Sequence, residues 1–385
     1  MPAVLATDAV LYLLIAALAV FALYARRHEH LRAPWRQVRR RPVAMAALVV
    51  LAWFAAIGLA DSIHYRPRLP AAPGAPAAFS PEVLSLFDAI ATPLRERVEQ
   101  TYSAPFATHL YSMTTRVGED GRQVRSYERL IWGGAHLGPD VAGKWRDIAA
   151  TAARAALVAL ATWCAVAALL VYALSRRWRR CWRSALDDIA HARTEVPWAA
   201  ILATAGVLAV ASAVIARLAL DWHVLGTDKV GQDVLYATLK SIRTGLLIGT
   251  LTTLVVLPLA ITLGIMAGYF GRWVDDVIQY LYTTLNSIPG VLLIAAAVLM
   301  LQVHMNVHAE DYTSVAARAD VRLLFLCIIL GITSWTGLCR LLRAETLKLR
   351  EADYVRAAAS FGVGHGRIMA RHVLPNVFHI VIISV

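Results

Sequence analysis

Residues 244–270 contain no Asp, Glu, Lys or Arg, and several other stretches of this chain are nearly as apolar. A bilayer core about 30 Å thick is crossed by about 20 apolar residues in a helix, so runs of this length commit the chain to lipid as its solvent. Lipid satisfies no backbone polar group, which restricts spanning segments to helices or closed barrels. The runs are too long and too uniformly apolar for alternating barrel strands. Composition agrees: 58% of residues are hydrophobic, 17% are charged and the mean hydropathy is +0.56. A soluble domain has about 45–50% apolar and about 25% charged residues.

Seven runs predict spans, at 9–25, 43–60, 148–174, 197–220, 244–270, about 281–303 and about 323–339. An eighth begins after Pro375 and is too short to cross by Val385. Asp8 and the lack of a basic stretch before the first run argue against a cleavable signal peptide. The net charge of +12 is concentrated in alternate loops. Segment 26–42 holds Arg26, Arg27, Arg32, Arg36, Arg39, Arg40 and Arg41, segment 176–196 holds RRWRRCWR plus Arg193, and 340–375 is also basic. The loops of opposite parity, 221–243 and 306–320, hold only Lys229, Lys240, Arg243 and Arg318. The positive-inside rule therefore places the amino terminus outside and 340–375 in the cytoplasm. Basic runs with Trp beside an apolar span are membrane-interface features, so no nucleic-acid partner is expected. Arg154 and Arg217, near outer span ends, are expected to reach the headgroups.

The expected organisation is two amino-terminal spans with a basic loop (1–60), an external polar insertion (61–147), a further span and basic linker (148–196), and a transmembrane domain (197–385). The insertion opens with a Pro-rich linker. An amphipathic helix is expected over 82–100, and a hairpin over 109–131 around Gly118-Glu119-Asp120-Gly121. Cys164, Cys181, Cys327 and Cys339 suggest no disulfide framework.

Sites of chemistry are scarce. GPDVAGKW at 138–145 resembles a phosphate loop but has Trp145 where the metal-binding Ser or Thr belongs, and no strand precedes it. His304 and His308, with Glu310 and Asp311, read as interfacial polar residues. No catalytic set, metal site or cofactor is expected. The fold class expected is an all-α integral membrane bundle with an α/β-like external insertion.

The most informative segment is 340–376, RLLRAETLKLREADYVRAAASFGVGHGRIMARHVLPN. It predicts a helix over 341–361, a break at Gly362, Gly364 and Gly366, and a short helix from about Arg367 to Pro375. It resembles the "EAA" loop of binding-protein-dependent ABC transporter permeases. Ala357, Ala358, Gly362, Leu374 and Pro375 fall in register, while Arg356 fills the Glu slot and His372 the Ile slot. Both departures, with Tyr354-Val355 and RHVLPN, are similar to the dipeptide, oligopeptide and nickel branch. GTDKVGQDVL at 226–235 is similar to that branch's C-type signature through Gly226, Thr227, Asp228, Gly231 and Asp233, with Gln232 replacing the usual Arg. The likeness covers about 197–385, and the first half departs from the family plan. Members usually continue about 100 residues past the LPN, so the resemblance also implies a chain truncated at its carboxy end.

The resemblance implies an ABC permease fold and import of di- or oligopeptides, with nickel as the lesser alternative. It implies a loop at 341–375, with Tyr354, Arg356 and Phe361 among its contacts, seated on a separate ATPase chain. The implied partners are ATPase subunits, a second permease subunit, an external solute-binding protein and the lipid bilayer. Thr283, Asn286 and Ser287, polar positions in the sixth run, are candidates for the substrate path. Two other readings stand beside this one: a membrane-anchored sensor or assembly protein acting through the insertion, and a non-functional truncated permease.

Overall fold

The computed structural model describes residues 2–68, 79–117, 123–138, 141, 143–191, 193–308, 310 and 314–384. Among them lie β1 (Pro2–Ala3), α1 (Ala6–Arg27), α2 (Glu29–Arg40), α3 (Pro42–Ser62), β2 (His64–Tyr65), β3 (Leu84–Ser85), α4 (Leu86–Ile90), α5 (Thr92–Glu96), β4 (His109–Val117) and β5 (Gln123–Arg129). These are followed by α6 (Lys144–Trp178), α7 (Trp182–Ala190), α8 (Trp198–Leu218), α9 (Val234–Phe270), α10 (Arg272–Ser287), α11 (Gly290–Val307) and α12 (Val315–Ser334). The last elements are α13 (Thr336–Arg350), α14 (Asp353–Ser360), α15 (His365–Ile368), a π-helical turn (Met369–Val373) and α16 (Leu374–Ser384).

Six of the described helices are long and apolar enough to cross a membrane: α1, α3, α6, α8, α9 and α11. Their large apolar side chains face outward, as at Leu13, Val20, Leu51, Leu157, Val207 and Leu299, which is stable only against lipid. The chain is a multi-pass, all-α membrane protein.

Two compact units make up the chain. The first comprises Ile15–Tyr65 and Leu84–Thr244. In it α8 packs against both α3 and α6. Gly206 on α8 makes room for the Trp163 indole, which lies 2.5 Å from where a Cβ would project. The second comprises Met1–Leu14, Arg66–Val83 and Gly245–Val385. Its main core gathers Ala260, Ile265, Ala267, Ile278, Tyr282, Leu338, Cys339, Leu342, Val355, Ile368, Val373, Val377 and Val381.

Within that core α9 and α13 approach closely. A Cβ on Gly264 would lie 2.9 Å from the Cys339 carbonyl oxygen and from Leu342 Cβ. One on Gly268 would lie 2.6 Å from Thr346 Cβ. This is the small-residue packing by which helices associate in lipid, where apolar burial gives no drive. Arg343 on α13 clasps Asp275 on α10 through two hydrogen bonds of 2.5 and 2.6 Å. These bonds, ahead of a smaller opposing effect of burial, hold the Asp275 carboxyl below its usual range.

Several expected elements differ in extent. The sixth run is two helices, because Ile288 is extended before Pro289 and Pro289 caps α11. Thr283, Asn286 and Ser287 therefore end the amphipathic α10 and are not interior to a span. The seventh run joins the end of α12 to the start of α13, and α12 opens with Arg318, Asp320 and Arg322. The helix expected over 82–100 is the strand β3 and two short helices, broken at Ala91 ahead of Thr92-Pro93. The helix expected over 341–361 stops at Arg350 and restarts at Asp353. The helix expected to end at Pro375 runs on into α16, because the preceding π turn relieves the proline's missing N–H and ring clash. The expected hairpin forms as β4 and β5, paired antiparallel from His109 with Arg129 to Val117 with Gln123. Its turn at 118–121, residues 69–78 of the linker, parts of the GPDVAGKW stretch, Asp311 and Val385 lie outside the described residues.

The α9–α13 contact yields an expectation. Gly268→Val should lower the stability of the detergent-solubilised chain by about 1–3 kcal/mol through overpacking. Gly249→Val, where a Cβ meets nothing within 4 Å, should have little effect in the same thermal unfolding experiment.

Candidate functional site

Two groups of sequence-singled residues form ordered local structures, one in each unit. The first is the 353–376 segment. Asp353 opens α14, where a carboxylate suits the positive end of the helix dipole. The helix closes at Phe361 with paired capping bonds: Gly362 N–H donates to the Ala359 carbonyl at 3.0 Å, and Val363 N–H to the Ala358 carbonyl at 3.1 Å. Gly362 sits at φ +73° to make this reversal, so glycine is required there by backbone conformation alone.

The two faces of α14 differ. Val355 is buried, and Ala358 and Val363 pack on the same core. Ile368 and Val373, from the next turns, are fully buried beside Leu342. Tyr269 at the end of α9 shares a 2.9 Å hydrogen bond with His365 Nδ1, and the two rings meet edge to face. Asn376 Nδ2 donates to the Tyr354 hydroxyl at 3.1 Å and to the His372 carbonyl at 2.6 Å, tying α14 to α16. Arg356 is exposed, and Phe361 is 87% exposed despite being a large aromatic. Leu374 packs on the core, while Pro375 and Ala357 are exposed. The segment is thus a rigid knob anchored on its inner face and presenting Arg356 and Phe361 on its outer one.

The second group is Gly226–Asp233. Asp228 Oδ1 accepts from Val230 and Gln232 N–H at 2.9 Å each, closing a tight turn. Gly226 and Gly231 both take φ +78°. A Cβ at either would strike backbone of the insertion, 2.2 Å from the Ser103 carbonyl oxygen and 1.8 Å from that of Glu99. Thr227 Oγ1 donates to the Thr101 carbonyl at 2.8 Å. Asp233 Oδ1 accepts from Leu235 N–H at 2.8 Å and so caps α9.

Two residues that sequence reasoning did not single out complete this turn. His223 bridges Asp233 Oδ2 at 2.7 Å and Glu99 Oε1 at 3.3 Å, and all three are buried. Glu99 also accepts from the N–H groups of Ile131, Trp132 and Gly133 at 2.8 to 3.3 Å. Burial alone would lower the His223 pKa, but the bonds and charges of Asp233 and Glu99 overcome it and push it up to about 9. Burial would raise the Glu99 carboxyl, and the bonds from His223 and the three N–H groups hold it below the usual range instead. The side chains of Thr227, Asp228, Asp233, His223 and Glu99 are all engaged in hydrogen bonds that hold the turn to its neighbours.

A parallel pair lies on α4, where Asp88 accepts from Lys240 at 2.6 and 2.8 Å and from the Tyr236 hydroxyl at 2.7 Å. The substrate-path candidates are exposed. Asn286 Oδ1 accepts from Thr336 Oγ1 at 3.1 Å, and Ser287 Oγ donates to its own helix at the Thr284 carbonyl. The rings of His304 and His308 lie tilted with centroids 4.4 Å apart, and no group of three or more His, Cys, Asp or Glu residues placed to hold a metal occurs among the described residues.

The Glu99–His223–Asp233 bridge should be visible in unfolding. His223, raised above its ordinary 6.5, contributes fully below that value and loses its contribution as pH rises through about 9. Glu99, lowered, contributes above its ordinary 4.5 and loses it as pH falls. Glu99→Gln should cost about 3 kcal/mol by leaving His223 underpaired, and should speed amide exchange at Ile131, Trp132 and Gly133. Unchanged exchange there would contradict the bridge.

Residues 260–385, which contain the knob, match the family described as "Binding-protein-dependent transport system inner membrane component". The oligopeptide transport system permease protein OppC of Mycobacterium bovis is 33% identical over 162 residues, covering 42% of this chain and 50% of that protein. The dipeptide transport system permease protein DppC of Lactococcus lactis subsp. cremoris is 28% identical over 165 residues, covering 43% of each. The glutathione transport system permease protein GsiD of Pectobacterium atrosepticum is 31% identical over 154 residues, covering 40% of this chain and 45% of that protein. The chain spans about half the length of the curated relatives it matches. Residues 260–385 are thus similar to the binding-protein-dependent transport system inner membrane components, and the chain is similar over part of its length to the permease proteins OppC and DppC.

Proposed function

We propose that this chain is a permease subunit of an ATP-driven importer of di- or oligopeptides in a bacterial inner membrane. It performs no covalent chemistry itself, and ATP is hydrolysed on separate ATPase subunits. The observation that carries the reading is the two-faced α14 knob. Its inner residues, Val355, Ile368 and Val373, are locked into a core shared with α9 and α13, while Arg356 and Phe361 stand free on its outer face. An anchored lever of this kind passes a push into the spans, whereas a loosely packed one would absorb it.

In this reading the knob is cytoplasmic and seats in an ATPase groove, with Phe361 as the apolar anchor and Tyr354 and Arg356 beside it. Buried aromatic and arginine residues dominate interfaces of this sort. A second permease subunit completes the pathway, and the exposed Thr283, Asn286 and Ser287 line the peptide path. Segment 61–147 and the Gly226–Asp233 turn lie outside, where an external solute-binding protein delivers substrate. The oligopeptide and dipeptide permeases named above support the choice of substrate class.

Phe361→Ala and Arg356→Ala test this without disturbing the core. In proteoliposomes holding the assembled transporter, each should lower peptide-stimulated ATP hydrolysis and uptake at least about tenfold, the effect of losing one hot-spot contact. The thermal stability of the chain should not change. Uptake at the original rate in both variants would overturn the assignment of the knob.

A further inference from the structure

We propose that the groove between α6 and α8 holds an anionic phospholipid of the insertion-side leaflet, its phosphate on Arg154 and Arg217 and one acyl chain along the helices. The groove has a volume of about 520 Å³. Its walls are mostly apolar, with Val158, Ala159, Trp163 and Ala209 among them, and Thr151 and Thr162 also line it. Both arginines line the same end, and no acidic residue lines it.

Depth along the span supports a headgroup at that end. Helix α6 has 35 residues and is far longer than a bilayer core requires. Arg154 and Arg176 on it are separated by about 33 Å of helix, close to the roughly 30 Å of hydrocarbon that a span crosses. Arg176, with Arg177, marks the far interface, so Arg154 sits at headgroup depth on the side of the insertion. Arg217, in the last turn of the antiparallel α8, reaches the same level.

Part of the charge at that level is available. Among the described residues the one hydrogen bond of Arg154 is from Nε to its own helix, at the Ala150 carbonyl. Arg217 pairs with Asp221 through one nitrogen, Nη1, at 2.5 Å, leaving the rest of its fork free. A guanidinium matches a phosphate with two parallel bonds, which favours arginine over a simple point charge. A groove mostly apolar along its length, with Arg154 and the singly paired Arg217 at one mouth, complements a molecule that is anionic at one end and hydrocarbon beyond it. An apolar partner helix would leave the Arg154 guanidinium and the remaining nitrogens of Arg217 without a hydrogen-bonding anion.

The test uses the full chain in mild detergent, titrated with dioleoylphosphatidylglycerol or dioleoylphosphatidylcholine and read by native mass spectrometry. One phosphatidylglycerol should be retained about tenfold more strongly than phosphatidylcholine. The double variant Arg154→Gln/Arg217→Gln should remove the preference, while Arg176→Gln/Arg177→Gln, at the other end of α6, should leave it intact. Ala209→Leu, which keeps both charges and fills the groove, should also weaken retention and guards against a folding defect in the double variant. Equal retention of the two lipids, or a preference that survives both Arg154→Gln/Arg217→Gln and Ala209→Leu, would overturn the proposal. A groove that excludes lipid and takes up a second protein chain would overturn it too.

Discussion

The close approach of α9 to α13 at Gly264 and Gly268 is the contact on which the carboxy-terminal unit depends. Lipid offers no hydrophobic reward for bringing helices together, so association rests on packing and polar clasps. Two glycines a turn apart let the helix backbones approach. Leu342 and Thr346 fill the space a side chain would have taken. The Arg343–Asp275 clasp then ties α10 to α13. From this base the chain builds outward through Val355, Ile368 and Val373 to the α14 knob. The inner face of the knob is thus packed into the same core as α13 and α9.

The other unit solves a different problem. It must attach a polar insertion of mixed strands and short helices to the ends of membrane spans. The attachment uses buried charge in two places. Glu99–His223–Asp233 fastens the insertion to the Gly226–Asp233 turn, and Asp88–Lys240–Tyr236 fastens α4 to the start of α9. Buried ion pairs contribute little net stability compared with apolar packing, but breaking one partner is costly. They fix geometry, which suits a turn whose glycines already press against insertion backbone.

Much of this was legible in the sequence because its cause is local. Runs such as 148–174 and 197–220 announce helices by length and by holding a single charged residue each, Arg154 and Arg217, near one end. The Gly362 reversal follows from one residue type at one position. The 109–131 hairpin follows from alternating residues around a turn. Helix ends were less legible where two signals competed. Pro289 was visible within the sixth run, but the apolar count favoured a single span, and the structure follows the proline. Pro375 looked like an end and is carried through by a π turn, an adjustment that no composition reveals. The His223 bridge was not legible at all, since Glu99 and His223 are 124 residues apart and only folding brings them together.

The central claim is that the 353–376 knob is the place where this chain meets an ATPase. The most direct measurement is purification of the tagged chain in mild detergent from cells that produce it, with mass spectrometry of the proteins that accompany it, repeated for Phe361→Asp. The account expects an ABC ATPase and a second permease with the native chain, and loss of the ATPase but not the permease with Phe361→Asp. An ATPase retained equally by both chains, or none recovered with the native one, would contradict it.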